Sequence, residues 1–206
     1  MKKTTIILFI FAFFAISCGV FRKPETQQKQ NSATFDEGVV INGVRWATRN
    51  VDMPGTFAEN PESPGMFFQW NRRKGWNAVD EVVEGWDNST PEGTKWYAEN
   101  DPCPEGWRVP TIDELRSLQE VNSEWTTLNG INGRFFGSVP YQLFLPAAGL
   151  RRISGTLGYV GYVGCYRSSS GHLPHNGWFL YFTSTPSRVT HTNPRYGFSI
   201  RCVAKN

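Results

Sequence analysis

The sequence predicts a single domain of short strands and tight turns with one clear helix, preceded by an export signal and a polar tether. Three observations point to it. Aromatic residues make up 15% of the chain, with eight Trp, beside 20 Gly and 13 Pro; so turn-rich and aromatic-rich a chain is unlike a helical bundle or a coiled coil. The apolar segments of the body are short and punctuated by Gly, Pro and Asn, as strands and turns are. A length of 206 residues bounds the answer at one domain or two small ones. With 39% hydrophobic and 19% charged residues, the chain is neither disordered nor a multi-span membrane protein.

Residues 1–17 read as a signal peptide. Lys2 and Lys3 form its charged start, and Ile6–Ile16 is an unbroken apolar run. A bilayer-spanning helix needs about 20 apolar residues, so this run is too short for a permanent anchor and fits a secretory h-region. Ala15-Ile16-Ser17-Cys18 follows, small residues ending on a cysteine. It resembles the bacterial lipobox, which implies that Cys18 is the lipid attachment site; several acyl chains hold a membrane stably where one does not. Residues 18–34 are then the lipidated cysteine and a flexible tether, polar, Gln-rich and without periodicity. Gly19 is not the Asp that favours inner-membrane retention, so the expected location is the outer membrane, on its periplasmic or its surface face. The net charge of +3 falls to +1 when Lys2 and Lys3 leave with the signal. Nothing in so small a charge suggests a nucleic-acid partner.

The body, residues 35–206, is long enough for one substantial core. Val39-Val40-Ile41 and Val44-Arg45-Trp46 flank Asn42-Gly43, a strong hairpin signal. Thr111-Ile112-Asp113-Glu114 is a capping box that starts a helix, with Ile112, Leu115, Leu118 and Val121 on one face. Asn129-Gly130 and Asn132-Gly133 both read as turns. Trp178–Phe182 and Tyr196–Val203 read as strands, rich in aromatic and β-branched residues. The remainder reads as loop.

Cys103-Pro104-Glu105-Gly106-Trp107-Arg108-Val109-Pro110-Thr111, followed by Asp113-Glu114-Leu115, resembles the hallmark of the Fibrobacter succinogenes major paralogous domain. This family is common in lipoproteins and surface proteins of the Bacteroidetes. Four further segments agree with it in order: Trp46–Val51, Gly65–Trp70, Phe144–Gly149 and Gly197–Val203. The resemblance implies an α+β domain similar in fold to C-type lectins and formylglycine-generating enzymes, with small twisted antiparallel sheets, one or two helices and long irregular loops. One departure stands out: where the family has Tyr-Trp-Ser-Ser, this chain has Tyr166-Arg167-Ser168-Ser169.

With Cys18 lipidated, Cys103, Cys165 and Cys202 remain, and an oxidising compartment makes a disulfide plausible. The residues alone leave three pairings open; the resemblance favours Cys103 with Cys202. No cofactor is expected. Cys165, His172, His175 and His191 match no compact zinc spacing. Calcium is the ion such lectins hold, and Asp80, Glu81, Glu84, Asp87 and Asn88 supply clustered oxygens; the lectins' ligand triplets are absent, however, and a solvated acidic loop explains the cluster more simply.

No catalytic motif is present: no nucleophile elbow, phosphate-binding Gly loop or metalloprotease helix. Formylglycine-type chemistry needs two active-site cysteines near the C-terminus, whereas Cys165 and Cys202 are far apart in sequence. Binding is the better expectation. Tyr159, Tyr162, Tyr166 and Trp178, with Arg167, cluster in a Gly-rich stretch, and such rings stack on sugars or anchor protein contacts. Trp70, Trp76, Trp86 and Trp96 form a second aromatic set. The expectation is a lipid-anchored, non-catalytic envelope module for a glycan or protein ligand. A formylglycine-type enzyme and a structural subunit of an adhesin are the alternatives.

Overall fold

A computed structural model of the chain describes residues 32–91, 93–172 and 176–205. The signal peptide, Cys18, the tether as far as residue 31 and His175 lie outside the described residues. Ser32–Thr34, expected as the end of the tether, instead dock on the body. The Phe57 N–H donates to the Ala33 carbonyl at 2.6 Å and Arg49 Nη1 to that of Ser32 at 3.1 Å.

β1 (Val39–Ile41) and β2 (Val44–Trp46) form the expected hairpin, in the register Val39 to Trp46. Its turn residues Asn42 and Gly43 sit at φ 49° and 79°, the left-handed region that these two types tolerate. Alternation turns Ile41 and Trp46 into the core and leaves Val40 outside. β3 (Phe67–Phe68) and β4 (Gly75–Trp76) make a short ribbon. β5 (Trp107–Arg108) precedes α1 (Ile112–Ser117), which continues as a 3₁₀ turn through Leu118–Glu120. The capping box is present: Thr111 Oγ1 accepts from the Glu114 N–H at 3.3 Å, and the Glu114 carboxylate accepts from the Thr111 N–H at 2.7 Å.

β6 (Ser123–Leu128), β7 (Ile131–Ser138) and β8 (Tyr141–Pro146) form a meander. Asn129-Gly130 is its first turn, whereas Asn132-Gly133 lies inside β7. Gly133 is there because a Cβ would come within 2.4 Å of the Phe144 ring, so the absent side chain makes room for a neighbour rather than for a turn. β9 (Leu150–Arg151) pairs with β10 (Leu157–Gly158). β11 (Gly164–His172), β12 (Asn176–Phe182) and β13 (Arg188–Thr192) form a second three-stranded antiparallel sheet.

β14 (Val203–Ala204) inserts between β2 and β5 and pairs antiparallel with both, giving the order β1-β2-β14-β5. The preceding segment, expected as one long strand, is a buried spine of single bridges. Gly197 pairs with Arg151, Phe198 with Phe68 and Ser199 with Tyr166, and the Ile200 carbonyl accepts from Val51. It changes partner residue by residue because it crosses from one small sheet to the next.

The architecture is therefore mainly β, which corrects the expectation of a C-type-lectin-like α+β domain. Among the described body residues, α1 and its 3₁₀ continuation are the one sizeable helical segment, and the stretches left as loop form sheets. Three apolar clusters result. The largest joins the hairpin, α1, β7, β8 and one face of β11–β12. A second surrounds the Cys103–Cys202 disulfide, and the third lies on the other face of β11–β12.

Candidate ligand-binding site

The sheet β11–β12–β13 places the candidate residues, because successive side chains point to opposite faces. Tyr166, Leu180 and Phe182 face the largest cluster. Cys165, Phe179 and Phe198 form the opposite cluster, with Tyr181 packed against it. Cross-strand register aligns Cys165 with Tyr181 and Arg167 with Phe179, while Arg188 stands opposite Tyr181 on β13.

On this second face lies a depression of about 220 Å³. Its floor is Cys165, Phe179 and Phe198, all buried, and its walls are Tyr159, Tyr181 and Tyr196. Phe179 and Phe198 pack with ring centroids 4.6 Å apart, and Tyr196 stacks on Phe198 at 5.9 Å. Two exposed arginines complete the rim. The Arg152 guanidinium lies 5.0 Å from the Tyr159 ring centroid, and that of Arg188 lies 4.7 Å from Tyr181. Such cation–π contacts hold each guanidinium over a ring while its N–H groups stay available.

Tyr159 adopts φ 61°. That conformation is an outlier for a bulky side chain, costing about 1–3 kcal/mol, and such costs gather at ligand-contacting positions. The turn that holds it is closed by Tyr162 and Val163 N–H groups donating to the Tyr159 carbonyl at 3.0 and 3.1 Å. Gly149 packs beneath, where a Cβ would meet the Gly158 carbonyl at 2.4 Å. The turn therefore presents Tyr159, Val160 and Tyr162 to solvent, each more than half exposed.

The five expected ligand residues separate. Tyr159 lines the pocket and Tyr162 stands on the same turn. Tyr166 is a correction: it is fully buried, stacks on Phe182, and donates its hydroxyl to the Pro146 carbonyl at 2.8 Å. Burial pushes its phenol pKa up. Arg167 is a second correction. It is fully buried beside Phe198, 4.1 Å from the ring centroid, and donates to the carbonyls of Phe68, Pro194 and Tyr196. Burial lowers its pKa to about 9, so it remains cationic at neutral pH, and its Nη1 has no partner. Trp178 is a third. It sits on the opposite sheet face from the pocket, edge-on to His172 and His191, with Arg116 at 5.6 Å. Sequence reasoning missed Tyr181, Tyr196 and Arg188; the alternation Phe179/Tyr181 and Arg188/Thr190/Thr192 was the signal that could have found Tyr181 and Arg188, while no local pattern marks Tyr196.

The second tryptophan set is buried: Trp70 packs edge-on to Trp96, and Trp76 tilts against Trp86. In the acidic loop, Asp87 pairs with Arg72 at 3.1 Å and accepts from Ser89, while Asp80 accepts from Asn77. Among the described residues no three His, Cys, Asp or Glu side chains converge as metal ligands do. Cys103 and Cys202 are disulfide-bonded, and Cys165 is a buried thiol whose pKa burial pushes up. No family model, curated protein or solved structure matches this chain.

Proposed function

We propose that this protein is a non-catalytic binding module of the cell envelope, anchored through lipid on Cys18, that takes a glycan or protein ligand on the tyrosine-lined pocket of the β11–β13 sheet. The observation that carries the reading is the pocket itself: three tyrosines around a buried apolar floor, beside a strained turn that exposes two aromatic rings. Flat amphipathic rings with few rotatable bonds suit both sugar stacking and protein contact. The motif resemblance to the Fibrobacter succinogenes major paralogous domain, and an outer-membrane location, are part of this proposal. The formylglycine-type alternative is disfavoured, because one of its two required thiols is committed to a disulfide and the other is buried.

The test is a glycan array probed with the full chain in mild detergent, once with calcium and once with EDTA. The reading expects a calcium-independent signal that Tyr181→Leu abolishes. A signal that survives Tyr181→Leu removes the pocket from the proposal, and silence across the array removes the glycan in favour of an envelope protein.

A further inference from the structure

The pocket's charge points to the class of its ligand. Among the described residues the ion pairs use Arg49, Arg72, Arg108 and Arg116. Arg152 and Arg188 are in none of them, and no Asp or Glu lines the pocket. Each is held over a tyrosine rather than by an acid. Beneath the same face lies the buried, cationic Arg167, whose hydrogen bonds go to neutral carbonyls, so no carboxylate cancels its charge locally. Low-dielectric surroundings screen such a charge less than water does. The result is an apolar aromatic cup under a positive potential.

Its size narrows the choice further. About 220 Å³ is below the roughly 300–1,000 Å³ of ordinary small-molecule pockets, which suits one ring rather than a length of chain. We infer that the ligand is an anionic sugar, a pyranose ring bearing a carboxylate or sulfate, with its C–H face on the tyrosines and its anion on Arg152 and Arg188. A guanidinium meets such an anion with paired N–H donors. This inference rests on the binding function proposed above.

The experiment measures affinity of the full chain in detergent for three oligosaccharide probes: hyaluronan fragments (carboxylate only), keratan sulfate fragments (sulfate only) and desulfated keratan (neutral). One or both anionic probes should bind at least about 10-fold tighter than the neutral one. The double variant Arg152→Gln/Arg188→Gln should weaken the anionic probe by at least about 10-fold, since the loss of even one charge-assisted bond is worth about that factor. Its melting temperature should match the parent's, because both side chains are exposed. Carboxylate and sulfate ligands are distinguished by which probe responds. Equal affinity for the neutral probe, or an unchanged affinity in the double variant, overturns the inference while leaving a glycan-binding function standing. Binding of a polyglutamate peptide, run as a fourth probe, but of no saccharide overturns it in favour of a protein ligand. Silence with every probe, together with a silent array, removes the anionic sugar and leaves an envelope protein as the ligand.

Discussion

Replacing Arg201 by Met takes the donor from four acceptors at once. Its Nε donates to Asn50 Oδ1 at 3.0 Å, Nη1 to the carbonyls of Ala47 at 3.3 Å and Thr48, and Nη2 to that of Pro61 at 3.4 Å. The guanidinium therefore ties the spine before β14 to the strand exit at Ala47–Asn50. Thr48 and Pro61 are partly exposed, so water can replace the lost donor there; Ala47 and Asn50 are fully buried. An unsatisfied buried acceptor costs about 1–3 kcal/mol, which puts the two at about 2–6 kcal/mol. Part is recovered because Met no longer buries a charge, the same burial that lowers the Arg201 pKa to about 10. The net expectation is a loss of about 3 kcal/mol, or roughly 6–12 °C in Tm for a domain of this size. Thermal unfolding of the full chain followed by circular dichroism measures it. Arg116→Met, which removes an exposed pair with Asp113 and an exposed contact with the Trp178 ring, should cost about 1 kcal/mol or less. If Arg201→Met costs no more than Arg116→Met, the clamp is not what holds the spine.

Four further outcomes are expected. Burial raises the Glu114 pKa, but hydrogen bonds from Arg108 at 2.6 and 2.8 Å and from Thr111 more than offset it, so the folded value is lowered. Its stabilisation is thus present above the unfolded carboxylate pKa of about 4.3 and lost as pH falls through the lower folded value; acid titration of Glu114→Gln should show a shallower loss than the parent. Removing the disulfide with Cys103→Ala/Cys202→Ala opens a loop spanning 99 residues and should cost about 4–5 kcal/mol in denaturant titration. Cys165 should stay unlabelled by a thiol reagent in the native protein and label fully in denaturant, since burial keeps it protonated and inaccessible; rapid native labelling would contradict its place in the pocket floor. Trp178→Phe should leave glycan affinity within about 2-fold while Tyr181→Leu abolishes it, as the two rings lie on opposite sheet faces.

The elements legible in the sequence are those whose signals are local. Asn42-Gly43 fixed its hairpin through backbone sterics, and Thr111 with Glu114 fixed the start of α1 through two reciprocal hydrogen bonds within one turn. Asn132-Gly133 carried the same letters as a turn but served a contact with Phe144 on the next strand, which no local pattern records. The aromatic cluster was visible, and its division was not. Tyr166 and Arg167 read like Tyr159 and Tyr162 until the sheet buried them.

What the sequence determined by itself was the hairpin, the helix cap and the aromatic abundance, while the residues alone left the pairing of the cysteines open. Each depends on residues adjacent in the chain or on composition. Tertiary structure alone decided the mainly β architecture, the buried spine at Gly197–Cys202 and the pocket. The pocket's Tyr159, Tyr181, Arg188 and Tyr196 come from one turn, two strands and the start of the spine. Their convergence depends on strand register, and register is set by which faces the whole domain can bury.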